Sequence, residues 1–167
     1  MKSEFVDHVI SIIVENRPGI LYRVTNLIRK RGFNIENITY GNLEKGTQGR
    51  INLVIKGDDK TVDLVARNLH KMVEVTQVAR IKWDESVQRE LALVKIRIAN
   101  SKARGDLLNY IDIYRGRVID VSPNTLIVEV TGNTAKIDAF IKLVKDFNIV
   151  EISRTGIAVL WRGKRTV

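Results

Sequence analysis

Cysteine is absent from the 167-residue chain, and histidine occurs only twice, at His8 and His70. The first absence excludes disulfide scaffolds, thiol nucleophiles, cysteine-bound zinc and ordinary iron–sulfur clusters. The scarcity of histidine leaves little for metal ligation or imidazole acid–base chemistry. Only two prolines occur, and 44% of residues are hydrophobic against 28% charged, the composition of a globular chain rather than a disordered one. No apolar run approaches the roughly 20 residues that a membrane span needs. Glu4, Asp7 and His8 precede a short apolar run, 9–14, which is wrong for a signal peptide. The chain therefore reads as cytoplasmic, with no membrane partner.

Phosphate loops are missing too: neither G-x-x-x-x-G-K-[ST] nor G-x-G-x-x-G occurs, and Gly46-Thr47-Gln48-Gly49 reads as a hairpin loop. Asp58 and Asp59 are explained by helix capping. His70 falls near a helix C-terminus, where a partly protonated imidazole is favourable. With no nucleophile, metal cluster or phosphate loop, the sequence predicts a binding module and not an enzyme.

Hydrophobic periods then give two copies of one plan. In the first half, 9–14 is a β-branched strand, and Ile20, Leu21, Val24, Leu27 and Ile28 recur at helical spacing until Gly32. Two strands follow at 34–43 and 50–56, then a helix carrying Val62, Val65, Ala66 and Leu69, then a strand at 73–81. In the second half, strands are expected at 93–98, 118–121, 126–130, 149–152 and 157–161. Helices are marked by Leu107, Leu108 and Ile111, and by Ile137, Phe140, Ile141 and Val144 after a cap at Gly132-Asn133-Thr134. The polar segment 83–89 is the expected boundary, giving domains 1–82 and 83–167. Twice β-α-β-β-α-β predicts an α+β protein of two ferredoxin-like domains, each an antiparallel sheet with helices on one face. Domains of about 80 residues are marginal alone, so packing against another copy or a partner is expected.

The 28 Lys and Arg against 19 Asp and Glu give a charge of +9, which raises nucleic acid as a partner. An RNA-recognition module of the same topology stacks bases on aromatics of its central strands. Neither 51–55 nor 126–130 carries an aromatic, and the charge divides +5 and +4 between the halves. A free-standing RNA-binding protein is the alternative reading, and the sequence favours no nucleic-acid partner.

One turn is more pointed: Glu15-Asn16-Arg17-Pro18-Gly19-Ile20-Leu21, joining the first strand to the first helix. Pro18 suits the first helical turn, and Gly19 permits close approach to the backbone. The N–H groups of Gly19, Ile20 and Leu21 would then face a carboxylate at the positive end of the helix, with the Asn16 amide beside them. The Asn34 carbonyl, in Arg31-Gly32-Phe33-Asn34-Ile35, could accept from an ammonium. Together these groups suit a zwitterion.

The runs N-R-P-G-I-L and R-G-F-N-I-E resemble the signature of an ACT domain, a small-molecule sensor. With L-H-K-M-V-E-V, R-E-L-A-L-V-K-I, Y-R-G-R-V-I-D-V-S-P, G-N-T-A-K-I-D-A-F and R-T-G-I-A in order, nearly the whole chain resembles the regulatory small subunits of acetolactate synthase. The resemblance implies an N-terminal ACT domain and a C-terminal domain of related topology. It implies binding of valine or another branched-chain amino acid, feedback inhibition, and stimulation of a separate large catalytic subunit when no effector is bound. It implies that Asn16, Gly19, Ile20 and Leu21 hold the effector, and that Asn34 and Ile35 complete the site from a neighbouring protomer of a homodimer formed through the ACT domain. Pro18 stands where relatives can carry a small polar residue and is left out of that set. Leu69 to Val75 and the C-terminal domain are the expected contacts to the catalytic subunit. No cofactor is expected in this subunit; thiamine diphosphate, Mg and FAD are expected on the catalytic one.

Overall fold

Residues 9–14 fall inside strand β1 (Val6–Glu15), which is followed by helix α1 (Ile20–Lys30), β2 (Ile35–Asn42), β3 (Gln48–Gly57), α2 (Asp59–His70) and β4 (Val75–Ile81). The order then repeats as β5 (Ser86–Arg97), α3 (Ser101–Ile113), β6 (Arg117–Val121), β7 (Thr125–Gly132), α4 (Thr134–Val144) and β8 (Ile149–Arg154), with a last strand β9 (Ala158–Trp161). The computed structural model describes residues 6–44 and 46–167. They divide into two units, one made of the described residues up to Val87 with Ala158–Val167, the other of Gln88–Ile157.

Each unit holds an antiparallel sheet, ordered β2-β3-β1-β4 in the first and β6-β7-β5-β8 in the second. This is the ferredoxin-like α+β arrangement, twice over. Period-two burial builds one side of each core: Ile10, Ile12 and Val14 of β1 with Ile51, Leu53 and Ile55 of β3. Ile20, Val24 and Ile28 of α1, one turn apart, pack down on them with Val62, Val65 and Leu69 of α2. The second core repeats the spacing, with Leu107 and Ile111 of α3 and Ile137, Phe140 and Val144 of α4 over Val94, Ile96, Val128 and Val130.

Side-chain caps start three helices. Asp58 accepts from the Thr61 N–H at 2.8 Å, Asn100 from Ala103 at 2.8 Å, and Asn133 from Lys136 at 2.9 Å. The expectation that Asp59 also caps is corrected: its carboxylate meets Arg80 of β4 at 2.6 Å, and that contact holds its pKa below the usual carboxylate range. Strand β5 begins at Ser86, inside the polar segment 83–89. Two of its polar residues are paired: Ser86 Oγ donates to the Lys82 carbonyl at 2.7 Å, and Glu85 accepts from Lys82 and Arg165.

Candidate effector site at the start of the first helix

Helix α1 begins without a side-chain cap and with no acidic residue in its first turn. What starts it is a turn. The Ile20 N–H donates to the Arg17 carbonyl at 3.2 Å, closing Arg17-Pro18-Gly19-Ile20. Gly19 has φ 82° and ψ 3°, the third-residue geometry of a type II turn, which needs φ above zero and so selects glycine. Pro18 therefore sits at the second turn position and not in the first helical turn as expected, since its ring pre-sets the φ that type II turns need there.

The same bond changes the inventory of helix donors. The Ile20 N–H is spent on Arg17, and the Ile20 side chain is 4% exposed in the core. Ile20 offers a ligand nothing but its place in the turn. Among the described residues no group accepts from the N–H groups of Gly19, Leu21 and Tyr22, and these remain at the positive end of the helix. Leu21 is exposed, and a side chain added at Gly19 would meet no atom within 4 Å. The turn is thus open outward.

Asn16 is less free than its sequence position suggests. Its Nδ2 donates to the Gly46 carbonyl at 2.9 Å, its Oδ1 accepts from the Tyr40 hydroxyl at 2.8 Å, and its own N–H donates to the Thr47 carbonyl at 2.9 Å. One N–H of the side-chain amide is left for a ligand.

Asn34 and Ile35 lie at the far end of α1. They line an open cleft of about 410 Å³ with Tyr22, Thr25, Asn26, Arg29 and Phe33. Asn34 Nδ2 donates to Glu36 at 3.0 Å, which leaves its carbonyl oxygen as an acceptor. Within one protomer the structure brings Asn16, Gly19 and Leu21 together, and Asn34 with Ile35, but not the two groups with each other. Sequence reading missed Tyr40, Gly46 and Tyr22. A hydroxyl on an edge strand carries no local signal of the turn it will meet, 24 residues away.

Among the described residues no group of three or more His, Cys, Asp or Glu could hold a metal ion. Nor is any helix among them long and apolar enough to cross a membrane.

Comparison with known proteins decides the family. Residues 10–77 match the model of an AHAS small subunit-like ACT domain, and residues 89–163 match the model of the small subunit of acetolactate synthase. The chain belongs to the acetolactate synthase small-subunit family. It is 42% identical over 160 residues to a probable acetolactate synthase small subunit of Methanothermobacter thermautotrophicus, covering 96% of this chain and 95% of that one. It is 38% identical over 160 residues to the small subunit of Mycobacterium leprae, covering 96% and 94%. The crystal structure of the Thermotoga maritima small subunit superposes with a TM-score of 0.88 at 38% identity, covering 96% of this chain and 99% of that one. The first unit is thus an ACT domain. Membership in the acetolactate synthase small-subunit family implies a regulatory role for the chain and a catalytic subunit as its partner.

Proposed function

We propose that this small subunit binds valine, or another branched-chain amino acid, between the ACT domains of two protomers, and so confers feedback inhibition on a catalytic subunit that it stimulates when the site is empty. The observation that carries this reading is the placement of the two half-sites. The turn at Gly19 and the residues Asn34 and Ile35 are separated by the 11 residues of α1, a rise of about 16 Å. No single amino acid spans that distance.

A second copy removes the difficulty. Strand β2 is an edge of its sheet, and Ile38 and Tyr40 on it are exposed. Two such edges pairing antiparallel about a two-fold axis bring the Ile35 end of one β2 to the Asn42 end of the other. Asn42 stands beside the Gly19 turn, because the Tyr40 hydroxyl lies within 2.8 Å of both Asn16 and Asn42. Each protomer then offers donors at Gly19 and Leu21 to the effector carboxylate, while its partner offers the Asn34 carbonyl to the ammonium and Ile35 to the side chain. Valine bound across the interface favours one arrangement of the dimer over another, which is the differential affinity that inhibition requires.

The effector-binding part is residues 1–82 and its companion is 83–167, which with Leu69 to Val75 contacts the catalytic subunit. Val73, 91% exposed, is the apolar side chain available for that contact. Thiamine diphosphate, Mg and FAD belong to the catalytic subunit in this reading. Co-purification with the large subunit, followed by activity assays with and without valine, tests it. Stimulation that valine reverses is the expected result; no complex, or a complex indifferent to every branched-chain amino acid, overturns it.

A further inference from the structure

The hydroxyl of Tyr40 meets Asn16, just after β1, and Asn42, two residues along its own strand, and the chemistry of the partners bears on the direction of each hydrogen bond there. The Gly46 carbonyl can only accept, so the Asn16 amide must present Nδ2 to it. That leaves Oδ1 facing Tyr40, and Oδ1 can only accept, so the phenol proton is committed to Asn16 at 2.8 Å. A phenol has one proton. Asn42 presents Oδ1 to the same hydroxyl at 2.8 Å, and with the proton committed to Asn16 the Asn42 amide must turn end for end to donate to the phenol oxygen.

The ring itself is pinned. A Cβ on Gly49, which pairs with Asn42 across the hairpin, would lie 2.4 Å from Tyr40 Cε2 and 2.6 Å from its hydroxyl oxygen. Glycine at 49 gives the ring its seat over β3. No side chain at that position leaves Tyr40 where it is.

We propose that Tyr40 is a positioning residue of the effector site: standing on the edge strand β2, it donates its hydroxyl proton to Asn16 Oδ1 and so holds in place the amide that the Gly46 carbonyl orients. This inference rests on the reading of the Gly19 turn as the effector site. With Tyr40 donating, the Asn16 amide keeps Nδ2 toward the Gly46 carbonyl and has one N–H left for the effector carboxylate. Without the hydroxyl, the Gly46 carbonyl alone holds the amide, Oδ1 is left without its donor, and the N–H aimed at the effector is less firmly placed. Occupancy of the turn is thereby linked to the strand by which protomers pair, because Tyr40 stands on that strand.

Valine titrations by calorimetry on the intact small subunit test this with Tyr40→Phe, Asn16→Ala and the double variant. Tyr40→Phe keeps the ring over Gly49 and is expected to bind valine about fivefold more weakly, the effect of one hydrogen bond. In the Asn16→Ala background the same change is expected to cost nothing further, because its only route to the effector has been removed. Gly49→Ala, which displaces the ring although the tyrosine keeps its hydroxyl, is expected to weaken valine binding as Tyr40→Phe does, with urea midpoints reporting separately on folding. Valine binding by Tyr40→Phe equal to the wild type, or an equal loss in both backgrounds, overturns the role of Tyr40 while leaving the effector site standing. A wild-type chain that binds no branched-chain amino acid overturns both.

Discussion

Arg154 of β8 grips the carboxylate of Glu90 of β5 with two hydrogen bonds, Nε to Oε1 at 2.5 Å and Nη2 to Oε2 at 2.9 Å, while its Nη1 reaches Asp138 of α4 at 2.7 Å. The first unit repeats the device with altered partners. Arg80 of β4 bonds Asp63 of α2, which like Asp138 stands five residues after the capping residue of its helix. Arg80 pairs with Ile10 as Arg154 pairs with Ala92, so the position two residues earlier is Glu90 in one unit and His8 in the other. His8 turns its ring to the Gly57 carbonyl at 3.1 Å and to Arg80 at 3.3 Å. The doubled fold thus carries a doubled strand-to-helix clamp.

Glu90 is 5% exposed, and Glu90 first, then Asp138, hold the Arg154 guanidinium above its ordinary pKa. Glu90→Ala is expected to destabilise the second unit by about 2–3 kcal/mol, at or below the range for a fully buried pair because Arg154 is one-third exposed. Urea denaturation reads this as a lower midpoint, and an unchanged midpoint shows the clamp to be dispensable.

Asp59 gives a pH dependence whose sign is fixed. The hydrogen bond and charge of Arg80 depress its pKa in the folded chain. A depressed carboxyl contributes stability above its unfolded value, about 3.9, and loses it as pH falls through the folded value. Urea midpoints taken from pH 7 downward are therefore expected to fall below pH 4, and Asp59→Asn is expected to fall less steeply over that window. Parallel curves for the two proteins remove Arg80–Asp59 as a cause of the acid limb.

Much of the fold was legible because its signals are local. Ile51, Leu53 and Ile55 alternate on β3, Ile137, Phe140 and Val144 recur on α4, and Asn133 caps the helix it precedes. Three features of the site were not, and each depends on a distant partner. Ile20 shows as one apolar residue of a helix stripe, whether its side chain faces the core or a ligand. Asn16 looks free until the Gly46 carbonyl and the Tyr40 hydroxyl arrive from β2 and its hairpin. Pro18 followed by glycine suits both a helix start and a type II turn, and only the bond from Ile20 to Arg17 selects the turn. The start of β5 was hidden for a related reason, since Glu85 and Glu90 read as solvent-facing until Arg165 and Arg154 pair with them.

Gly19→Asp puts a carboxylate where the effector carboxylate is proposed to lie. The position accepts it sterically, with no atom within 4 Å of an added Cβ, and aspartate is among the residues that tolerate positive φ. The strain costs about 1–2 kcal/mol, which a urea midpoint will register. Calorimetry is expected to show valine binding abolished in Gly19→Asp and retained, though weaker, in Gly19→Asn, which has the same shape and strain without the charge. Equal loss in both variants would point to backbone strain and away from a carboxylate site.

A mixed dimer tests the division of the site between protomers. If Gly19 of one chain and Asn34 of the other bind one effector, a dimer of Gly19→Asp with Asn34→His contains one site carrying both substitutions and one carrying neither. Homodimers of either variant have no intact site. Differently tagged chains, mixed by unfolding and refolding together and purified through both tags, are expected to bind one valine per dimer with near wild-type affinity. Each homodimer is expected to bind none. Had the effector been held within a single protomer, every site in the mixed dimer would carry one substitution and binding would stay lost. Recovery of one site therefore requires that α1 of one protomer face the residues after α1 of its neighbour. The helix-length gap between Gly19 and Asn34 already demands this of any single effector touching both.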